Sequence, residues 1–380
     1  MMKKRTTVMI AAHERDNFGD LLYNLENRHY LGDDRVISAA PFAADMTELL
    51  GTKVEAYRDL ATIGPIDRVW IGGGGLGGVT LASAYKMSCS DEIRSNLAPA
   101  ELVDSAAAAF GAPPWCSPYL PDLCKAFGLS IPVTVINSAA LSGVIRLPVK
   151  TLRSVHRVIR HADFVSVRDR RSKQVMNALG LRVDLAPDII HGMRFTSPVV
   201  KTQQAERPVA IIQWRTSLLA NLSNSEIASA LASTSELAGY AIRFLPAGTA
   251  PEHDCVEDYV EVAQLLRAQT SGWDVGVLTD PDPYKKAMSI ANADLYIGSS
   301  LHGQVVSIAY EVPHVLLRLP KLETYARSWS DPMPIDASMA TLGAAIGRAL
   351  EPGVREELKR LSPLLADQAV ANARRAAGRG

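Results

Sequence analysis

Short apolar runs alternate with longer amphipathic segments along the whole chain. Each run is bounded by glycine, proline, aspartate or serine, and a stretch with helical spacing of its apolar residues follows it. The runs predicted to form strands cover residues 7–12, 68–71, 131–136, 164–167, 208–213, 241–245, 276–278 and 294–297. Because strands that are apolar on both faces are typical of parallel sheets covered by helices, the pattern predicts an α/β fold with parallel sheets.

A polar segment near mid-chain interrupts this alternation. Residues 197–208 lack periodicity and precede a new run of strands, so we interpret them as a linker between two α/β domains. The expected domains and a helical tail span residues 1–200, 201–345 and 346–380. The tail has a predicted break near Pro352, and residues 371–380 are expected to fray.

Length and charge limit the classes of function. The 380 residues suit two domains, and the balance of 40 Lys and Arg against 40 Asp and Glu argues against a generally basic nucleic-acid-binding protein, while leaving room for a local basic patch. No apolar run approaches the roughly 20 residues of a membrane-spanning helix. Residues 1–5 are basic like the start of a secretion signal, but the apolar run behind them, residues 8–12, is too short for one. We therefore expect a cytoplasmic protein.

Neither the cysteines nor the acidic residues form a metal-binding motif. Cys89, Cys116, Cys124 and Cys255 contain no CxxC pair, so free and mostly buried thiols are predicted, with a bond between Cys116 and Cys124 as the alternative. The chain has no HExxH segment, no DxD-type acidic pair in a glycosyltransferase setting and no Walker A lysine, which predicts that it binds no metal.

Chemistry in open α/β sheets lies at the carboxyl ends of strands, and two glycine-containing segments have that position. Asn17, Gly19 and Asp20 follow the first predicted strand, where they are either a plain helix cap or part of a site. The run 72–78 contains GxGxxG, but the acidic residue that a dinucleotide site needs, Asp91, does not end a predicted strand. We therefore favour a nest of backbone amides beside a cleft between the domains.

Two arginines end predicted strands. Arg168 precedes a helix start, where a guanidinium and free backbone amides would clamp an anion; the alternative is a structural Asp–Arg pair. Arg215 ends the first strand of the second domain, so its side chain is expected in the cleft, with an exposed surface position as the alternative.

A late turn places a histidine between a strand and a helix. In the segment 298–303 (GSSLHG), small residues permit a ligand to approach the helix N-terminus, and the positive end of the helix dipole favours a neutral or proton-exchanging ring at His302. His253 and Asp254 form a second candidate, either an acid/base or sugar-binding pair or a solvated loop.

Taken in order, these segments resemble the polysaccharide pyruvyl transferase family. That family shows N-x-G-D near its start, a glycine run after an early strand, R-D-x-x-S with a later P-D, an arginine ending the first strand of the second domain, and a late R/S-L-H-G turn. The matching positions in this chain are Asn17, Gly19, Asp20, Gly72 to Leu76, Arg168, Asp169, Ser172, Pro187, Asp188, Arg215 and Ser300 to Gly303. The likeness covers residues 8–320.

The resemblance implies two Rossmann-like domains that face each other across a cleft, as in the GT-B architecture, with the acceptor on the first domain and the donor on the second. It implies transfer of a pyruvyl group from phosphoenolpyruvate onto two hydroxyls of a sugar or lipid-linked oligosaccharide, giving a pyruvate ketal without any further cofactor. Many members carry arginine where this chain has Ser300. Either Arg168 and Arg215 then supply the charge, or the donor is held less tightly or is different.

The chemistry of ketal formation suggests roles for the candidate residues. His302 is the expected proton donor, and Asp20 or Asp254 the group that takes the hydroxyl proton. The residues expected to bind the donor are Arg168, Arg215, Ser299, Ser300, Leu301 and Gly303. The residues expected in the cleft loops of the first domain are Asn17, Gly19, Gly73, Gly74 and Gly75.

Alternative functions share this two-domain plan. A nucleotide-sugar glycosyltransferase or epimerase would need an acidic residue for a ribose, for which Glu311 or Glu323 is available by position. A non-enzymatic sugar-binding protein would use the same arginines and histidine for binding alone. Residues 84–127, with Trp115 and Tyr119, suit an acceptor wall or simple packing equally. Membrane contact is expected to be peripheral at most, through the arginines of the C-terminal tail, Arg374, Arg375 and Arg379.

Overall fold

The computed structural model describes residues 4–89, 96, 98–199, 207–251 and 253–378. Contacts divide the chain into two compact units: unit one holds residues 1–189 and 369–380, and unit two holds residues 190–368. Unit two thus starts before the predicted linker, of which residues 200–206 lie outside the described residues. The predicted separate tail over 346–380 differs from this division, because its residues are shared between the two units.

Unit one is built on a sheet in the order β3-β4-β2-β1-β5-β6-β7-β8. Its strands are β1 Thr6–Ile10, β2 Arg35–Ala40, β3 Ala44–Met46, β4 Thr52–Ala56, β5 Arg68–Gly72, β6 Thr134–Ala139, β7 Phe164–Val167 and β8 Asp184–Leu185. Its helices are α1 Phe18–Leu31, α2 Thr47–Leu50, α3 Leu81–Ser88, α4 Pro99–Phe110, α5 Leu123–Phe127, α6 Val149–His161 and α7 Arg170–Ala178. The pairings are parallel except that β3 runs antiparallel to β4 at one edge.

Unit two contains a parallel sheet in the order β11-β10-β9-β12-β13. Its strands are β9 Val209–Gln213, β10 Ala241–Phe244, β11 Val275–Val277, β12 Leu295–Gly298 and β13 His314–Leu316. The helices after β8 are α8 Met193–Thr196, α9 Asn224–Ala232, α10 Val256–Gln269, α11 Pro283–Ala291, α12 Leu301–Ala309, α13 Pro320–Trp329, α14 Leu342–Ala349 and α15 Pro352–Ala376. Strand order changes direction beside β9, where open sheets of this kind hold ligands.

Each unit has its own apolar core, as the strand pattern requires. All five residues of β1 are buried, and Val8 and Ile10 belong to the cluster that fills unit one. In unit two, Ile212 of β9 and Ile297 of β12 lie in a second cluster. The α/β fold with parallel sheets is therefore confirmed, with β3 as an antiparallel strand at the edge of the first sheet.

The C-terminal end is anchored where fraying was expected. Helix α15 continues to Ala376, and the buried side chain of Asn372 donates from Nδ2 to Oδ1 of Asn137 at 2.7 Å. Arg375 pairs with Asp184 at 2.8 Å. These bonds hold residues 369–378 on the sheet of unit one, whereas Arg379 lies outside the described residues.

Two further expectations are resolved. The four cysteines are free thiols, but Cys116 alone is buried, so the expected burial of most of them is wrong. In the described part of the chain, every helix is too short or too polar to cross a bilayer.

Candidate functional site

The N-terminus of α1 lies against the glycine run of unit one. Asn17 caps the helix, its Oδ1 accepting from the amide of Gly19 at 3.2 Å, and Asp20 is buried in the first turn. A Cβ on Gly74 would lie 2.5 Å from Oδ1 of Asp20, so a larger residue at position 74 would displace the carboxylate. The structure therefore brings together two segments that the sequence predicted at one sheet edge.

The other glycines of the run differ in why glycine stands there. Gly73 has φ of 107°, which favours glycine, whereas a Cβ added to Gly75 would meet no atom within 4 Å. A Cβ on Gly77 would lie 2.7 Å from the backbone of Leu141. The run thus forms a loop packed against its neighbours and continues as a 3-10 turn rather than the helix of a dinucleotide fingerprint; Asp91 lies outside the described residues.

Arg168 is a buried partner of Asp188. Its Nη1 donates to Oδ2 of Asp188 at 2.9 Å, and that carboxylate is fully buried. Burial alone would lower the pKa of Arg168, but Tyr23, Asp188 and Asp169 raise it, so the guanidinium stays charged. This geometry differs from the expected anion clamp and matches the alternative of a structural Asp–Arg pair, since the charge is already neutralised inside unit one.

Directly after β1, unit one also contains a polar cluster that sequence reasoning missed. The carboxylate oxygen Oε1 of Glu14 accepts from Tyr119 at 2.5 Å and from Arg15 at 3.1 Å. Arg15 also donates to the Tyr119 hydroxyl at 2.5 Å and lies 3.9 Å from Asp20. Glu14 and Arg15 therefore connect Asp20, the candidate proton acceptor, to Tyr119, which the sequence indicates only as part of a possible acceptor wall.

His13, which precedes Glu14 in the sequence, has a neutral imidazole ring with a defined tautomer. Burial, followed by the charges of Arg28 and Arg15, lowers the pKa of His13 to about 3. Arg28 donates to Oδ1 of Asn24, so Nδ2 of Asn24 is the donor that faces Nδ1 of His13 at 3.2 Å. The ring proton is then on Nε2, which has no hydrogen-bond partner among the described residues. The signal available in the sequence was only the density of polar residues from 13 to 17 after an apolar strand.

In unit two, Gln213 at the end of β9 connects three candidate positions. Its Nε2 donates to the carboxylate of Asp254 at 3.1 Å, and its Oε1 accepts from the backbone amide of Ser299 at 3.0 Å. The Ser299 hydroxyl accepts from the amide of Arg215 at 2.9 Å. The sequence had placed Gln213 only as a strand residue, yet it fixes the relative positions of the other three.

Asp254 is buried, and its carboxylate accepts hydrogen bonds from three residues. Besides Gln213, the amide of Ala247 donates to it at 2.8 Å and the hydroxyl of Tyr259 at 3.3 Å. Burial raises the pKa of the Asp254 carboxyl to about 6, although the hydrogen bonds from these three residues oppose the shift. A carboxyl with this pKa can exchange a proton near neutral pH, and it also fixes the loop after β10.

The turn from β12 into α12 is built from small residues for a steric reason. The side chain of Tyr296 runs beneath it, and a Cβ on either Gly298 or Gly303 would lie 2.1 Å from the Tyr296 hydroxyl. Ser300 is the helix cap, its Oγ accepting from the amide of Gly303 at 3.3 Å. Of the amides expected to bind an anion, those of Ser299 and Gly303 therefore already have internal acceptors.

The remaining candidates of unit two lie close to this turn. His302 is on the first turn of α12 and is 8% exposed, and Leu301 beside it is buried. Arg215 is half-buried, with its backbone fixed to Ser299. Unit two thus gathers Arg215, Asp254 and the turn 299–303, while unit one gathers Asn17, Gly19, Asp20 and the glycine run.

No group of three or more metal-ligating side chains occurs within the described ranges. The two acidic residues considered for a ribose are engaged elsewhere: Glu311 pairs with Arg194 at 2.5 Å, and Glu323 pairs with Arg327 at 2.8 Å on an exposed helix face. The groups that remain near the ends of β9 and β12 are the guanidinium of Arg215, the titratable carboxyl of Asp254 and the imidazole of His302.

Comparison with known proteins identifies both the family and the fold. The sequence profile described as "Polysaccharide pyruvyl transferase" matches residues 17–319. No curated protein matches the chain by sequence. Solved structures of similar fold include a UDP-GlcNAc 2-epimerase from Neisseria meningitidis bound to UDP-GlcNAc, with 10% identity, a TM-score of 0.53 and coverage of 97% of this chain and 98% of that one.

Two other solved structures have similar folds. The UDP-GlcNAc 2-epimerase from Methanocaldococcus jannaschii is 11% identical, with a TM-score of 0.52 and coverage of 95% of this chain and 100% of that one. The glycosyltransferase SnogD from Streptomyces nogalater is 14% identical, with a TM-score of 0.50 and complete coverage of both chains. At these identities the likeness shows the fold alone, which is of the GT-B type.

Proposed function

Because the chain belongs to the polysaccharide pyruvyl transferase family, we propose that it transfers the pyruvyl group of phosphoenolpyruvate to two hydroxyls of one sugar, forming a cyclic pyruvate ketal and releasing phosphate. The observation that carries the proposal is the family match over residues 17–319, which contains every candidate residue of both units. The acceptor belongs to the sugar or polysaccharide class, in free or lipid-linked form.

Binding of the donor requires positive charge at one place, since phosphoenolpyruvate carries a phosphate and a carboxylate. Arg215 is our choice for this charge, because the residue is half-buried and its backbone is fixed by Ser299. The start of α12 adds the partial positive charge of a helix N-terminus. Arg168 is assigned a structural role instead, since Asp188 already neutralises it.

The proposed chemistry begins with a proton transfer from His302 to the methylene carbon of the donor. The electron pair of the C=C bond forms the new C–H bond, which leaves a cationic carbon stabilised by the adjacent oxygen. A sugar hydroxyl attacks this carbon and loses its proton to Asp20 or Asp254. Phosphate then leaves with the electrons of its C–O bond. The second hydroxyl attacks the same carbon and gives its proton to the imidazole of His302, which closes the ketal and restores the proton donor.

Gln213 supports this chemistry as a positioning residue. It bonds Asp254 and the amide of Ser299 at once, so movement of the turn that carries His302 is coupled to the carboxyl. Catalytic groups must be held to within a fraction of an ångström. This bridge therefore fixes the position of the carboxyl of Asp254 relative to the turn that carries His302.

The direct test is release of inorganic phosphate from phosphoenolpyruvate in the presence of a panel of sugars and lipid-linked oligosaccharides, with the product examined for a ketal by mass spectrometry and NMR. Acceptor-dependent phosphate release with a ketal product is the expected result. Phosphate release that never depends on an acceptor, or none with any acceptor, would refute the proposal.

A nucleotide-sugar glycosyltransferase or epimerase is the second candidate, favoured only by the fold of the structural neighbours. A ribose bound by either carboxylate would have to displace an arginine, since Glu311 pairs with Arg194 and Glu323 with Arg327. Turnover of UDP- or dTDP-sugars without phosphoenolpyruvate would favour this candidate over the pyruvyl transferase.

A further inference from the structure

Unit one presents a dense positive charge outside the candidate site. Between residues 142 and 162 the chain has five Lys and Arg residues and no Asp or Glu, although the net charge of the whole chain is zero. The segment comprises a 3-10 turn, Ser142–Arg146, and helix α6. All five basic side chains are exposed: Arg146, Lys150, Arg153, Arg157 and Arg160.

Helix α6 orders these charges on one face. At about 100° per residue, the four basic residues of the helix fall within an arc of about 80°. The opposite face, with Val155 and Ile159, is buried in unit one. The apolar side of the helix is therefore not available to a partner. The exposed side presents basic residues at fixed positions.

Little of this charge is neutralised within the protein. Arg157 lies 3.3 Å from the carboxylate of Asp122 at an exposed position. The nearby carboxylate of Asp163 accepts from the amide of Thr134 at 2.8 Å. The other basic residues of the segment make no ion pair with a described residue. A groove along α6 is lined by Arg153, His156, Arg157, Arg160 and His161, which adds two imidazoles to the same face.

Two apolar side chains accompany the cations. Ile145 is 55% exposed and Val149 is 63% exposed, and each precedes a basic residue, Arg146 and Lys150. A soluble polyanion has no apolar surface in which exposed aliphatic side chains could be buried. The boundary between lipid headgroups and acyl chains can bury them while it binds the neighbouring Lys and Arg.

We propose that this cationic face, formed by the five basic residues of 146–160 with Ile145 and Val149, docks unit one onto an anionic membrane surface. The cations contact lipid phosphates, and the two aliphatic side chains enter the headgroup region. The inference depends on surface charge and exposure and not on the reaction, so it stands or falls independently of the proposed activity.

The strength expected from such a surface is moderate and depends on salt. Each Lys or Arg near an anionic leaflet changes the partition onto it about fivefold. Screening shortens the interaction to about 10 Å at 0.1 M salt. The arginines of the C-terminal tail add less than the sequence indicated, because Arg375 already pairs with Asp184.

The test is co-sedimentation of the full chain with vesicles of phosphatidylcholine alone or mixed equally with phosphatidylglycerol. Binding is expected only to the mixed vesicles, falling steeply as salt is raised. The double variant Arg153→Gln/Arg160→Gln should bind about 25-fold more weakly. The variant Ile145→Ser/Val149→Ser should lose the part of the binding that survives high salt.

The matched control is Lys359→Gln/Arg360→Gln, which removes the same charge from exposed positions on α15 of unit two. It should bind like the unchanged protein, and thermal unfolding should show that each variant is folded. Equal binding by the Arg153/Arg160 variant and the unchanged protein, or no preference for the anionic vesicles, would overturn the proposal. So would binding to heparin or RNA without binding to vesicles.

Discussion

Gln213 donates a hydrogen bond to Asp254, with Nε2 3.1 Å from Oδ2, and both side chains are buried. Because the other end of the same amide accepts from Ser299, its orientation is fixed by chemistry: the Ser299 amide can only donate, so Nε2 must face the carboxylate. One side-chain amide thus couples the end of β9 to the loop after β10 and to the turn after β12.

Replacing Gln213 with leucine should unfold unit two more easily. The change leaves the carboxylate of Asp254 and the amide of Ser299 short of a partner, at a cost of about 2–4 kcal/mol in the free energy of unfolding. Chemical denaturation measures it. The control Gln264→Leu, exposed on α10, should stay within about 0.5 kcal/mol. Equal stability of the two variants would contradict the assigned bridge.

The raised pKa of Asp254 predicts a pH-dependent stability. Folding favours the protonated carboxyl, since its pKa moves from 3.8 to about 6, so its contribution is fully present below about pH 4 and is lost as pH rises through 6. The free energy of unfolding of the unchanged protein, relative to Asp254→Asn, should fall by roughly 3 kcal/mol in total as pH rises from well below 4 to well above 6. A difference that is flat with pH would show that burial does not perturb this group.

Removal of the imidazole at position 302 should reduce turnover by roughly 100-fold or more, because the proton donor is lost. Steady-state kinetics of phosphate release from phosphoenolpyruvate measures the effect, with kcat expected to fall more than KM rises. The control His29→Ala removes an exposed histidine from α1 of unit one and should leave kcat unchanged. If His302→Ala keeps its turnover, another group supplies the proton.

The two arginines at strand ends should behave differently. Arg168→Met leaves Asp188 buried without its partner, so we expect a loss of about 3–5 kcal/mol in stability, partly recovered in Arg168→Met/Asp188→Leu. Arg215→Met should instead remain folded and raise KM for phosphoenolpyruvate. Denaturation and kinetics on the same samples separate the two roles. A raised KM for phosphoenolpyruvate in the Arg168→Met/Asp188→Leu variant would show that Arg168 binds the donor.

Adjacent glycines provide a matched pair in unit one. Gly74→Ala places a methyl group 2.5 Å from Oδ1 of Asp20, so the carboxylate must move and activity should fall at least tenfold. Gly75→Ala meets no atom within 4 Å and should be active. Phosphate-release assays on both decide the matter; equal activity would mean that the position of Asp20 is irrelevant to the reaction.

The apolar runs identified the central strands because those strands are buried on both faces, as β1 and β5 show. The pattern missed five strands: β2, which is exposed at its start, β8, which has two residues, and also β3, β4 and β13. It also placed β6 too early, over residues 131–136, since residues 131–133 around Pro132 precede the strand at Thr134.

Motif positions in the candidate site were predictable, but their partners were not. The cap by Asn17 and the turn after β12 depend on neighbours in sequence. Asp188 reaches Arg168, and Tyr119 reaches Glu14, only through tertiary packing, so no spacing in the sequence announces either contact.

The anchoring of Asn372 on Asn137 has a consequence for synthesis of the protein. A ribosome that has completed residue 189 has made the whole sheet of unit one but lacks the segment that bonds its buried asparagine. At roughly 5–20 residues per second, on the order of ten seconds or more pass while unit two is translated. During that interval the first-made half of the chain is incomplete and is open to chaperones, and it closes only after the second half has emerged.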